Sequence, residues 1–174
     1  MEFPFIRYIA DTRHYDDVLA RAASVKHTLW IGTADIKDVY VKSGMSAVPL
    51  LAVFDKLVKK NVAIRLIHAK EPGPIFREEH EKFPALWSSM EMTLCPRVHF
   101  KLMIFDMETA YIGSANLTGA GIGMKSGQKR NFEAGILTNE PSLVNAAINQ
   151  FDEVWCRKFC EKCGRKSYCV GPIH

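Results

Sequence analysis

No stretch of this chain approaches the roughly 18 uninterrupted apolar residues that a transmembrane helix needs, so no membrane insertion is expected. The opening residues, Met1-Glu2-Phe3-Pro4-Phe5-Ile6-Arg7, lack a basic segment followed by an apolar one. A signal peptide is therefore not expected, and a cytoplasmic location is the default. Long linkers, low-complexity runs and internal repeats are missing too, so the 174 residues read as one domain large enough to bury a core. Cysteine is almost absent from the body: of five, only Cys95 precedes residue 156. Net charge is only +4, and the 48% hydrophobic and 24% charged fractions are those of an ordinary globular protein.

The little charge there is sits at one end. From Trp155 onward, five basic residues (Arg157, Lys158, Lys162, Arg165, Lys166) face one acid (Glu161), which leaves the rest of the chain near neutral. A basic tail attracts polyanions such as nucleic acid, or simply keeps a solvated segment soluble.

Periodicity sets the organisation. Asp11 or Thr12 caps a helix with Val18, Leu19, Ala22 and Val25 on its apolar face. Thr28 to Gly32 reads as a buried strand. Ser46 and Pro49 suit the start of a second helix, with Leu50, Leu51, Phe54, Leu57 and Val58 at helical spacing. Val62 to Ile67 is a strand, and Pro72-Gly73-Pro74 precedes a helix through Phe76, Phe83, Leu86 and Trp87. Met92 to Leu94 is a short strand. Val98 to Phe105 and Ala110 to Gly113 form two strands joined at Asp106 to Thr109. A Gly-rich loop from Thr118 to Lys129 leads to a strand at Phe132 to Leu137, and Pro141 opens a last helix ending near Trp155. This alternation predicts an α/β fold, a mixed sheet with helices on both faces.

Chemistry concentrates in Val98-His99-Phe100-Lys101-Leu102-Met103-Ile104-Phe105-Asp106 and in Gly113-Ser114-Ala115-Asn116. Side chains two apart on a strand share a face, so His99 and Lys101 project together while Phe100, Leu102 and Ile104 go to the core. An imidazole beside an ammonium suits attack on a phosphate: the ring nitrogen is the nucleophile and the lysine holds the non-bridging oxygens. Gly113 permits close backbone approach, and Ser114 and Asn116 add neutral donors. Two look-alikes fail. His68-Ala69-Lys70 has Ile75 where an acid would follow, and Gly119-Ala120-Gly121-Ile122-Gly123-Met124-Lys125-Ser126 has Met124 between the glycine and lysine that a phosphate loop keeps adjacent.

The spacing His-any-Lys, four residues, Asp, six residues, Gly-Ser-any-Asn resembles the signature of the phospholipase D superfamily. His99, Lys101, Asp106, Gly113, Ser114 and Asn116 fall on every position of it, and Asn131-Phe132-Glu133 resembles the family's later Asn-any-Glu element. The resemblance covers roughly residues 1–155, as a phospholipase D-like catalytic domain, with 156–174 as a Cys-rich basic tail. It implies a phosphohistidine intermediate on His99, a glutamate, Glu133, that orients the histidine, and a mainly structural Asp106. It implies no cofactor for catalysis. Each family active site uses two copies of the motif and this chain holds one, so a homodimer with the active site at the interface is expected.

The tail pattern Cys156-x3-Cys160-x2-Cys163-x5-Cys169 offers four soft ligands, expected to hold a structural Zn²⁺ or, alternatively, an iron–sulfur cluster, with unligated thiols as the remaining reading and His174 as a substitute ligand. The basic tail, together with Lys125, Lys129 and Arg130, favours a nuclease acting on DNA or RNA. A lipid phosphodiesterase or phosphatidyltransferase, and a catalytically idle nucleic-acid-binding module, are the competing expectations.

Overall fold

The computed structural model describes residues 3–37, 39–43 and 46–169, and His174 lies outside the described residues. Its strands are β1 (Ile6–Ala10), β2 (Thr28–Thr33), β3 (Tyr40–Ser43), β4 (Ser46–Pro49), β5 (Ala63–His68), β6 (Met90–Leu94), β7 (Lys101–Phe105), β8 (Thr109–Gly113) and β9 (Ala134–Thr138). The helices are α1 (Leu50–Val58), α2 (Pro74–Glu81), α3 (Pro84–Ser89) and α4 (Pro141–Trp155). Seven strands form one mixed sheet in the order β1-β9-β8-β7-β2-β5-β6, and β3 pairs with β4 apart from it. Strands β2, β5 and β6 run parallel; β7, β8, β9 and β1 join as successive antiparallel neighbours.

Helices cover both faces, as the alternation of elements predicted. On one face Val144, Ala147 and Phe151 of α4 pack against Leu102, Ile104 and Ala110. Phe151 is fully buried and stacks on Trp30 with ring centroids 4.9 Å apart. On the other face Leu29, Ile31, Leu66 and Met103 meet Leu51, Phe54 and Leu57 of α1 and Leu86 of α3. All five residues of β7 are buried, so it forms the sheet's centre with alternate side chains feeding the two layers.

Several local expectations are corrected. The segment after Asp11 is one π turn, His14–Val18, and one 3₁₀ turn, Leu19–Ser24, rather than a regular helix. Its expected face still reaches the core, since Val18, Leu19, Ala22 and Val25 are buried. Ser46 to Pro49 is strand β4, and the helix starts at Leu50, after Pro49 adopts an extended backbone. The helix through Phe76 and Trp87 is two: Pro84 denies it a backbone donor, and the chain breaks at Lys82 and Phe83. β1 and the β3–β4 pair carry no periodicity that the sequence revealed.

Among the described residues, no helix is long and apolar enough to cross a membrane. The metal site is also overturned. No three His, Cys, Asp or Glu side chains among the described residues are grouped so as to hold an ion, which removes the Zn²⁺ and iron–sulfur expectations alike. Cys156, Cys160, Cys163 and Cys169 are free thiols. Closeness in sequence did not become convergence in space. Cys156 ends α4 and turns back toward Asp152 (Sγ to Oδ1 3.6 Å), while Cys163 accepts the N–H of Arg165 at 3.4 Å.

Candidate active site

Strand register gathers the motif at one end of the sheet. β7 runs antiparallel to β2 with Leu102 opposite Gly32, so Lys101 opens β7 where β2 finishes. On its other side Lys101 pairs with Gly113, and Gly113 pairs with Gly135. Ser114 and Glu133 therefore emerge beside Lys101 from the next two strands. Gly113 is required for space: a Cβ there would strike the Tyr111 hydroxyl and the Ala134 carbonyl.

His99 lies just before β7 and is exposed, whereas Lys101 is 5% exposed. The Lys101 ammonium donates to the His99 carbonyl at 2.7 Å and lies 3.4 Å from both ring nitrogens, which places charge directly against an accessible imidazole. Phe100 packs toward the opposite layer, with Leu102 and Ile104, as strand alternation requires. Burial pushes the Lys101 pKa below its ordinary value, and the negative charge of Glu133 opposes that shift.

The Ser114 hydroxyl donates to Glu133 Oε2 at 2.5 Å and accepts the N–H of Ala134 at 3.1 Å. Asn131 donates to the other oxygen, Oε1, at 3.0 Å. Both Glu133 oxygens are thus engaged by neighbours, and among the described residues Glu133 makes no hydrogen bond to His99. Its influence on the site is electrostatic, through Lys101. Asn116 straps the loop after β8 to the end of β2. Its Oδ1 accepts the N–H groups of Ala34 and Asp35, both at 3.2 Å, while its NH₂ group has no hydrogen bond among the described residues. Leu117 reinforces the strap, donating its N–H to the Thr33 hydroxyl at 3.1 Å.

Asp106 does not join these groups. It sits at the far end of β7, in a turn where Asp106 and Met107 both take left-handed φ values of 52° and 58°. Its carboxylate accepts the backbone N–H groups of His27 (2.7 Å), Thr28 (2.9 Å) and Lys26 (3.0 Å). Burial would raise its pKa, but these donors and the nearby His27 outweigh burial and hold it below the usual value. Asp106 anchors the entry to β2, at the opposite end of β7 from His99 and Lys101.

One residue was invisible to sequence reasoning. His14, 1% exposed, meets Tyr111 edge-on at 5.5 Å and lines a small cavity with Lys101 and Thr33. Its Nδ1 lies 3.1 Å from the Asp11 carbonyl, and its Nε2 is buried without a partner. Burial lowers its pKa against the opposing pull of the Asp11 carbonyl and the Glu133 charge, which favours the neutral ring. Nothing in its local sequence signals this, because the contact is made only when β8 folds behind it.

An exposed imidazole against a buried ammonium, flanked by hydroxyl and amide donors, is an arrangement for handling a phosphate group. Residues 18–155 match the sequence model of the family described as cardiolipin synthase, PLD-like domain, and the chain belongs to this phospholipase D-like family. Among solved structures it is similar to NucT from Helicobacter pylori, with a TM-score of 0.64 at 11% identity over 87% of this chain and 95% of that one. Nuc from Salmonella typhimurium, a phospholipase D family member, gives 0.63 at 16% identity over 88% and 95%. Phosphatidylserine synthase from Haemophilus influenzae gives 0.60 at 12% identity, over 85% of this chain and 37% of that one. No curated protein matches the sequence. At these identities the likeness is one of fold.

Proposed function

We propose that the chain is a phosphodiesterase working through a phosphohistidine on His99, with nucleic acid as its substrate. The observation that carries this reading is the exposed His99 ring held against the buried Lys101 ammonium. The ring nitrogen attacks phosphorus and the P–O bond to the leaving alcohol breaks, giving a phosphohistidine. Lys101 stabilises the charge gathering on the non-bridging oxygens, with the Asn116 NH₂ group as a neutral donor; the Ser114 hydroxyl joins them only by turning its proton away from Glu133 Oε2. A second acid–base group must protonate the leaving oxygen and then take a proton from the water that attacks phosphorus and releases His99. The chain offers one His99, so the second is assigned to His99 of another copy across a two-fold axis, making the functional unit a homodimer.

Nucleic acid is favoured by Lys125, Lys129 and Arg130, which lie on the loop leading into Asn131 and Glu133, the same loop that closes on Ala120 through the Asn131 N–H. The lipid reading has its own support, since the matching family model is named for cardiolipin synthase. Incubation with single- and double-stranded DNA and RNA, and with phosphatidylglycerol vesicles, in excess EDTA separates them. The reading requires EDTA-resistant cleavage of nucleic acid that His99→Ala abolishes, and a dimeric mass by light scattering. Turnover of the lipid alone would transfer the chemistry to a lipid substrate. Nucleic-acid binding without any cleavage would make the motif an idle binding site.

A further inference from the structure

A cavity of about 690 Å³ opens off the free edge of β6, where Met92, Thr93, Leu94 and Cys95 form one wall. It belongs to the same end of the sheet as the active site. His68, which lines it, is the last residue of β5 and pairs with Thr33 of β2, which in turn adjoins Lys101. Two strand spacings, about 10 Å, separate His68 from Lys101 along the sheet edge. A polymer with a phosphodiester at His99 can therefore run on into this cavity.

The lining identifies what it takes. Arg77 and Arg157 are balanced by Glu71 and Glu81, so the cavity has no net charge from them and is not a backbone-phosphate track. An alkyl chain fits no better, because it would lie against the sheltered imidazoles of His68 and His80 without offering either a polar partner. His68 donates from Nδ1 to the Lys70 carbonyl at 2.7 Å, which leaves Nε2 as its remaining polar atom. His80 stacks on Phe76, and its Nε2 is buried without a hydrogen-bond partner. Trp87, 62% exposed, contributes an aromatic wall and is steadied by its indole N–H on the His80 carbonyl at 3.3 Å. An aromatic wall, an apolar floor and a rim of mixed donors and acceptors match the face and edge of a nucleobase, which carries donors and acceptors side by side.

We infer that this cavity is a base-binding subsite that accepts one unpaired nucleobase of a single-stranded nucleic acid and stacks it against Trp87. The inference rests on the nucleic-acid reading of the His99 site. A base held here fixes which phosphodiester reaches His99, so the subsite gives the enzyme a preference for unpaired strands that the phosphate-handling groups cannot supply.

The test is a binding cycle in the His99→Ala background, so that turnover does not interfere. A labelled single-stranded oligonucleotide is titrated by fluorescence anisotropy, alongside versions carrying an abasic site at each position in turn. Trp87→Ala is expected to weaken binding of the intact strand about 5- to 100-fold, the range for loss of one stacked base. One abasic position should produce a similar loss in the parent and almost none in Trp87→Ala. Trp87→Leu, which keeps apolar cover but no aromatic face, should behave like Trp87→Ala, whereas Trp87→Phe should keep most of the affinity. Unchanged affinity in both Trp87→Ala and Trp87→Leu, or abasic losses equal in parent and variants, overturns the subsite. Displacement of the label by short-chain phospholipid, with no abasic effect, overturns it in favour of an acyl ligand. Hydrolysis of bis(p-nitrophenyl) phosphate by wild-type protein judges the phosphodiesterase reading separately. If that fails while the cycle holds, the cavity binds a base on a protein that does not cleave.

Discussion

Asp106 offers the sharpest separation of architecture from chemistry, because it stands within the motif but at the wrong end of its strand. Three backbone N–H groups, of Lys26, His27 and Thr28, converge on its carboxylate. A hydrogen bond to a charged acceptor contributes about 1.5–3 kcal/mol when water cannot replace it. Only the Thr28 bond is part-buried; those of Lys26 and His27 are exposed, and water recovers most of their value. Alanine also lacks aspartate's tolerance of a left-handed backbone at φ 52°, which adds roughly 1 kcal/mol. Asp106→Ala should therefore cost about 3–4 kcal/mol, lowering the melting temperature by about 6–16 °C for a chain of this size. Asp106→Asn keeps the backbone tolerance and one acceptor oxygen, so a loss of about 1–2 kcal/mol is expected.

The sign with pH follows from the depressed pKa. The folded value lies below the unfolded one, so the stabilisation from Asp106 is complete above the ordinary carboxylate range. It is lost as pH falls below that range through the folded pKa. The gap in stability between wild type and Asp106→Asn should thus be full at neutral pH and close in acid. Urea melts followed by circular dichroism across pH measure it, with hydrolysis of bis(p-nitrophenyl) phosphate assayed well below each transition. An Asp106→Asn protein that melts like wild type yet loses its turnover would refute the structural assignment.

Other substitutions probe the active end. Lys101→Met should reduce turnover by about 10²–10³-fold while leaving thermal stability no lower, because it removes a charge whose burial is already unfavourable. Glu133→Gln withdraws the negative charge that props up the Lys101 pKa, so the alkaline limb of the pH–rate profile should move to lower pH; an upward move would contradict the electrostatic role. Gly113→Ala forces a Cβ against the Tyr111 hydroxyl and the Ala134 carbonyl and should destabilise by about 1–3 kcal/mol in a denaturant melt.

The sheet centre and the pairing of His99 with Lys101 were legible because they obey short-range rules. Alternation placed His99 and Lys101 together and sent Leu102 and Ile104 inward, and the helical spacing of Leu50, Leu51, Phe54 and Leu57 marked α1. What the sequence concealed depends on distant partners. Tyr8 and Ile6 of β1 look like neither strand nor core, being 66% and 62% exposed, and pair with β9 only across the whole chain. His14 is ordinary until Tyr111 arrives, and the Asn116 strap needs β2 in place. The cysteines show the opposite failure: spacing that suits an ion, on a chain whose turns bring no three ligands together among the described residues.

The pairing of β1 with β9 also has a consequence for synthesis. Ile6 must find Thr138, and Ala10 must find Ala134, so the first described strand waits for the last. At about 5–20 residues per second a ribosome needs on the order of ten seconds to supply that partner, during which Ile6 and Tyr8 have no neighbour on their edge. Such long-range closure makes folding slow and leaves the nascent chain dependent on protection from association. It also orders events: Ser114 and Glu133 reach Lys101 only as β8 and β9 dock, so a chain in which only β7 has formed carries His99 and Lys101 without their neighbours.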